Sequence, residues 1–129
     1  LALYWFGRAE EAVPLFARAI RLSPYDPMLW TFHFIRGTVN FVLDEYDLAT
    51  IDTKTATQVK GDEFWPYLTL ACAMFRSGKN DEARTAYERA RQLNSGLSAA
   101  HIKALIGTLH PPYLEKILAA LRQLGLPEE

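Results

Sequence analysis

Apolar positions recur with helical spacing along most of this chain. Between residues 11 and 22, for example, Ala12, Leu15, Phe16, Ala19 and Ile20 mostly follow i, i+3, i+4 spacing and would share one helix face. Glycine, proline and short polar segments interrupt this pattern repeatedly. The pattern predicts no strand; it predicts the end of a helix at 1–6, then seven helices at 11–22, 28–43, 47–60, 62–77, 80–93, 98–109 and 112–124. Asp62 is placed to cap the fourth of these helices.

The chain repeats one short pattern of glycine and alanine. Three residue pairs share an interval of 71: Gly7 and Gly78, Ala12 and Ala83, and Ala19 and Ala90. A weaker middle copy carries Ala49 and Ala56, at an interval of 37 from the first copy and of 34 from the last. Self-similarity at about 34 residues is typical of arrays of helix pairs. The interval of 37 predicts that the first helix of the middle copy is about one turn too long.

The middle copy also has a second helix of poor intrinsic propensity. Its β-branched threonines lose rotamers in a helix, and by themselves they leave a strand open as an alternative; they are Thr50, Thr53, Thr55 and Thr57. The alanines at 49 and 56 are in register with the other copies and favour a helix.

The last copy carries the fullest motif. Its residues are Tyr67, Leu70, Ala71 and Met74 in the first helix and Ala83, Tyr87 and Ala90 in the second. They resemble the tetratricopeptide repeat, in which small residues allow close helix crossings and large rings fill the space beside them. The resemblance implies an all-α, right-handed superhelix of about 2.5 repeats with a C-terminal pair of capping helices. It divides one domain into a truncated first repeat (1–26), a second with an extended first helix (27–61), a third (62–95) and the cap (96–129).

A longer resemblance concerns the kind of protein. Residues 10–24, the segment 26–30 and the closing segment 121–128 look like the C-terminal repeat region of bacterial multidomain signalling proteins. The best known of these carry a class III adenylate/guanylate cyclase domain upstream, and related chains carry a winged-helix DNA-binding domain. Because the sequence starts at Leu1 inside a helical pattern, we expect a fragment of such a protein. The resemblance implies a non-catalytic module for protein interaction, with a regulatory or scaffolding role.

The family usually binds its partners in a groove lined by first helices. The corresponding positions here are Thr31, Ile35, Trp65, Leu68, Cys72, Phe75 and Arg76, with Arg36 and Asn40 as polar candidates on the same helix as Ile35. The Lys and Asn pair with which one subgroup clamps a carboxylate is absent from these positions. The expected partner is a protein, a peptide or an upstream domain of the same chain, and a homodimer is the alternative.

Composition narrows the partners further. The formal net charge is −1 and the pI about 6.3, which disfavours nucleic acid because a phosphate-binding surface needs a basic excess. No apolar run approaches the ~18 residues that span a bilayer, so no membrane segment is expected. Cys72 is the single cysteine, which excludes an intrachain disulfide and favours a reducing, cytoplasmic compartment.

Candidate catalytic chemistry is sparse. The acidic pairs at 10–11 and 81–82 stand at helix starts, where the helix dipole explains them. His33, His101 and His110 lack the spacing of metal ligands, so no catalytic, metal-binding or cofactor-binding residue is predicted. Trp30 and Phe32 are two residues apart, as are Phe32 and Phe34, and residues so spaced point about 200° apart around a helix. Some of these rings therefore face a groove, another domain or a second copy, or they pack on both sides of an inner repeat.

Overall fold

The computed structural model describes residues 29–106 and 111–129, together with residues 14, 17, 18 and 20–22, which are helical. Within this part the protein is all-α, with no strand. The helices are α1 (Leu29–Val42), α2 (Tyr46–Val59), α3 (Phe64–Arg76), α4 (Asn80–Leu93), α5 (Ala99–Ile106) and α6 (Pro111–Gln123). The partial helix at 1–6, most of the first repeat, the turn at 23–27 and His110 lie outside the described residues.

The helices form two consecutive pairs, α1 with α2 and α3 with α4, and α2 packs against α3. The turns inside the two pairs have the same geometry at equivalent repeat positions. Asp44 (φ 63°) corresponds to Gly78 (φ 83°), and both residues adopt the left-handed backbone conformation. In the first turn the N–H of Glu45 donates to the carbonyl of Asn40, and in the second Lys79 donates to Met74, each over 2.9 Å. The repeat is therefore a property of the backbone as well as of the sequence.

The second helices of the two pairs also end alike. The residues that follow them, Lys60 and Asn94, are extended (φ −140° and −143°), and each donates its N–H to an alanine carbonyl four residues back. Those alanines are Ala56 and Ala90, and both are fully buried, as are the preceding repeat alanines, Ala49 and Ala83. The predicted small-residue positions are thus confirmed as sites of close packing.

Helix α2 forms despite its threonines because their hydroxyl groups are satisfied within the helix. Thr53 donates to the carbonyl of Ala49 over 2.7 Å, and Thr50 to that of Tyr46 over 2.8 Å. Thr55 and Thr57 make the same kind of bond. Burial is therefore possible for Thr50, Thr53 and Thr57 without an unpaired hydroxyl.

The cap packs onto the second pair. Helix α6 lies against α3 and α1, and α5 lies against α6. The core that they share contains fully or nearly fully buried side chains from four helices and one loop: Leu68, Cys72, Tyr87, Leu97, Ile102, Ile117 and Leu121. After Gly125 (φ 107°) the chain returns to the start of α5, where the N–H groups of Ala99 and Ala100 donate to the carbonyls of Pro127 and Glu128 over 2.8 and 2.9 Å.

Two expectations about the helices need correction, and a third stays a prediction. The observed bounds of α1, α2, α3 and α6 differ from the predicted ones by one or two residues, those of α4 agree, and the end of α5 borders residues outside the described part. Asp62 does not cap α3, since the N-cap is Glu63 and no side chain bonds there. Helix α1 has 14 described residues against 13 in α3, and the residues directly before Leu29 lie outside the described part, so the extra turn stays a prediction.

Across residues 29–106 and 111–129, the helices have at most 14 residues. A membrane-spanning helix needs about 20.

Candidate binding cleft

A cleft of about 550 Å³ lies where the turn after α1 meets α6. Its lining comes from the α1–α2 turn region, the end of α3, α5 and α6: Phe41, Tyr46, Arg76, Lys103, Leu114, Glu115, Lys116, Leu118, Ala119 and Arg122. The cleft depends on the cap, because the majority of these residues belong to α5 and α6. We call it the cap cleft.

The cap cleft is positively charged. Four cationic side chains and one carboxylate line it, although the whole chain has a formal net charge of −1. Lys116 reaches back to the α1–α2 turn, where it donates to the carbonyl of Val42 over 3.1 Å and forms an ion pair with Asp44. Arg122 makes two bonds of 3.0 Å to the carboxylate of Glu128. Two of the four cations are therefore already neutralised by the chain itself.

The other two cations are available. Arg76 and Lys103 are exposed, and no carboxylate of the described residues lies within ion-pair distance of either. The guanidinium of Arg76 lies over the ring of Tyr46, 5.4 Å from its centroid, which positions it without neutralising it. Glu115, also exposed, is the one carboxylate of the lining.

The two internal ion pairs lower the pKa of the carboxyl groups that take part in them. The hydrogen bond from Lys116, helped by one from Tyr46, lowers the pKa of Asp44 below its usual value of 3.8. The hydrogen bond from Arg122 likewise lowers the pKa of Glu128. Both carboxyl groups are consequently ionised at neutral pH, and both bridges are present.

A buried polar cluster joins α1 to α2 away from the cap cleft. Asp52 is 4% exposed, and its carboxylate accepts two bonds from Arg36, of 2.9 Å from Nε and 2.6 Å from an Nη atom. The ring Nδ1 of His33 lies 3.2 Å from the same carboxylate, and the amide of Asn40 lies 3.5 Å from it. Since all partners of Asp52 come from α1, this cluster fixes the register of the two helices.

Cys72 and Tyr113 are interior groups. The thiol of Cys72 is fully buried, 3.7 Å from the carbonyl of Ile117, and burial raises its pKa far above the usual value. Burial also raises the pKa of Tyr113, whose hydroxyl lies 2.9 Å from that of Thr69. A thiol that stays protonated and inaccessible is a packed side chain rather than a nucleophile.

The predicted groove residues do not come together in one open surface. Arg76 alone of the nine lines the cap cleft. Leu68 and Cys72 are fully buried beneath α6, and Ile35 and Asn40 are buried as well, so these four lack the exposure that direct contact with a partner requires. Arg36 is held by Asp52, and the remaining three, Thr31, Trp65 and Phe75, are partly buried. That a partner binds to the three partly buried groove residues stays a prediction.

The aromatic rings of α1 differ in burial between the two ends of the helix. Trp30, Phe32 and Phe34 are all partly exposed, and the rings of Trp30 and Phe34 stack with centroids 6.4 Å apart. Phe41, one residue before the end of α1, is 1% exposed and packs edge-on against Tyr113. The rings near the start of α1 are therefore partly buried, and their contact with a partner stays a prediction.

The cationic residues of the cap were not predicted. Lys103, Lys116 and Arg122 occur singly in amphipathic helices, a pattern that is normal for a solvated helix face. The sequence offered no signal that distinguished them, because their convergence depends on how α5 and α6 cross the end of α3.

A second depression of about 450 Å³ lies between α2 and α4. It is lined by Lys54, Thr57, Gln58, Tyr67, Leu70, Met74, Glu82, Thr85, Ala86 and Arg89. Beside it, α2 exposes Leu48, Ile51 and Val59 to between 46% and 62%. The equivalent positions in the next repeat, on α4, are Glu82, Thr85 and Leu93, of which two are polar.

Among the described residues, no three His, Cys, Asp or Glu side chains are grouped as a metal site would require. A scan of the chain against protein-family models finds no matching family, and a search of curated proteins finds no significant match.

Proposed function

We propose that this chain is a non-catalytic protein-interaction module built as a right-handed, tetratricopeptide-like superhelix. One observation carries the proposal: two successive helix pairs share their turn geometry, their helix ends and their buried alanines at equivalent repeat positions. Such arrays stack supersecondary units into extended surfaces, and their usual role is to bind other proteins.

The chemistry of the described residues supports binding over catalysis. The cap cleft combines apolar walls with exposed cations, while the one buried thiol is protonated and enclosed. The buried carboxylate of Asp52 is occupied by side chains of α1. Neither group is placed to act on a substrate.

The resemblance to bacterial signalling proteins adds a context to this proposal. In that context the module regulates or tethers a catalytic or DNA-binding domain encoded upstream, such as a class III nucleotidyl cyclase. This part of the proposal depends on the motifs of the sequence, and the sequence upstream of Leu1 in the parent gene is its direct test.

Affinity capture tests the interaction itself. The tagged chain is immobilised and exposed to a lysate of its source cells, and each retained protein is then purified and titrated against the chain by calorimetry. A saturable complex of defined stoichiometry supports the proposal. If no retained protein binds saturably as a purified component, the interaction function is refuted.

Self-association is the second candidate, and the exposed apolar residues of α2 favour it. Leu48, Ile51 and Val59 occupy an outward strip that is mostly polar in α4, and such strips are common at interfaces. Sedimentation equilibrium of the chain and of Ile51→Lys decides the matter. A dimer that the substitution dissociates supports this candidate, and a monomer at high micromolar concentration refutes it.

A further inference from the structure

We propose that the cap cleft binds an acidic, partly apolar segment of a partner protein. This inference rests on the proposed interaction function and specifies its site and its ligand chemistry. The carboxylates of the segment pair with Arg76 and Lys103, and an apolar side chain of the segment packs on Leu114.

The positive charge of the cleft favours a negatively charged ligand. Arg76 and Lys103 are exposed and form no direct ion pair in the described part of the chain, although Asp44 attracts Arg76 and Glu128 attracts Lys103 over a longer distance. A local excess of positive charge attracts and orients an acidic partner more than a neutral one. Three carboxylates, Asp44, Glu115 and Glu128, stand against the four cations, so the region keeps a net charge of +1.

The chain already shows how carboxylates occupy this region. Glu128, in the extended tail after α6, places its carboxylate on Arg122 while its backbone carbonyl accepts a hydrogen bond from α5. Asp44, in the α1–α2 turn, does the same for Lys116. Two carboxylates carried by extended or turn backbone therefore satisfy two of the four cations. The partner segment supplies the same kind of group to the other two.

The apolar lining favours a peptide over a small inorganic anion. Leu114 is partly exposed in the cleft and Ala119 is exposed, while Leu118 and Phe41, at 4% and 1% exposure, add little apolar surface. The cations belong to three helices, α3, α5 and α6, so they come from separate elements of the fold. A ligand with separated carboxylates and an apolar side chain matches this distribution, and the size of the cleft is that of a small-ligand or short-segment site.

The test measures binding of a defined probe to the whole chain. The probe is a fluorescein-labelled synthetic peptide of alternating glutamate and leucine, followed by fluorescence anisotropy, and a glutamine–leucine peptide is its neutral control. The variant Arg76→Glu with Lys103→Glu reverses both free cations. The matched control, Lys54→Glu with Arg84→Glu, makes the same change in charge at exposed cations outside the cleft.

We expect the acidic peptide to bind the natural chain and the control variant equally, and the cleft variant at least about tenfold more weakly. The neutral peptide should bind the natural chain about as weakly as the acidic peptide binds the cleft variant. Circular dichroism verifies folding. Should the charge reversal unfold the chain, Arg76→Gln with Lys103→Gln replaces it, with a smaller loss in the same direction.

Three results overturn the inference. The first is that the acidic peptide does not bind, and the second is that it binds the natural chain and the cleft variant equally. The third is that tripolyphosphate displaces the peptide at matched ionic strength, which would indicate a general anion site. None of these results refutes the proposed interaction function. That function is tested separately, by capturing a partner protein and measuring whether it binds saturably. If a captured partner still binds the cleft variant, the inference about the cap cleft is refuted and the proposed interaction function is retained.

Discussion

Replacing Gly37 by alanine adds one methyl group at a close approach of α1 and α2. The new carbon would lie 2.7 Å from Cγ2 of Thr53, 3.1 Å from the backbone nitrogen of the same residue and 3.1 Å from Cβ of Asp52. Carbon atoms in contact normally lie about 3.5–4.0 Å apart, so the two helices must separate or Thr53 must move. Thr53 is fully buried and its hydroxyl is bound to Ala49, which leaves it little freedom.

The net effect is a balance of two opposing terms. Alanine is about 1 kcal/mol better than glycine in a helix interior. Overpacking of a well-packed contact costs about 1–3 kcal/mol. Because the clash involves backbone as well as side chain, we expect an overpacking cost in the upper part of that range, about 2–3 kcal/mol, and so a net loss of about 1–2 kcal/mol. For a domain of this size that is a fall in Tm of roughly 3–8 °C.

Urea unfolding followed by circular dichroism measures the change for Gly37→Ala. The matched control is Gly96→Ala, an exposed glycine where the nearest atom would lie at an ordinary 3.6 Å, and it should change stability by less than about 0.5 kcal/mol. Thr53→Ser removes the clashing methyl and keeps the hydroxyl, so Gly37→Ala should cost less in that background. If Gly37→Ala is neutral or stabilising, or if Thr53→Ser brings no relief, the close crossing is not as described.

Further predictions concern packing and charge. Ala83→Leu places a large side chain at a fully buried repeat position and should cost about 1–3 kcal/mol in thermal unfolding, whereas a neutral result contradicts the register. Asp52→Asn weakens the bonds to Arg36 and should lower the urea midpoint by the equivalent of about 1–3 kcal/mol; an unchanged midpoint would show that the cluster contributes nothing. Asp44→Asn removes the ion pair with Lys116. Because the pKa of Asp44 is lowered in the folded state, this pair stabilises the fold above the unfolded value near 3.8 and is lost as the pH falls through the lowered value. The difference in unfolding free energy between the natural chain and Asp44→Asn should therefore be largest near pH 7 and vanish in acid. A difference that does not depend on pH would contradict this prediction.

The helices could be predicted because they depend on local pattern. The alanines at 49 and 83, and those at 56 and 90, are in register, and the turns at Asp44 and Gly78 follow the same interval. The repeat interval of the sequence reappears in the structure because each helix pair packs mainly on its neighbours. The exact ends were less accurate, since Asp62 has the right residue type for a cap and yet lies one position too early.

The polar interior could not be predicted in the same way. An aspartate in a helix is normally solvated, and nothing around Asp52 in the sequence indicates that it is buried. Its burial depends on Arg36, 16 residues earlier, whose guanidinium satisfies the carboxylate. The prediction for Arg36 as a free groove residue missed this pairing because both partners are common on exposed helix faces.

By itself, the sequence determined that this protein is all-α, that its helices come in pairs, and that small residues recur where those pairs pack. Periodicity and glycine breaks act over a few residues, so the chain carries that information locally. The tertiary structure alone decided which charges meet. Arg76 and Arg122 are far apart in the sequence, and they line one cleft because α6 crosses the end of α3. The candidate site therefore depends on the packing of the cap, which no local pattern specifies.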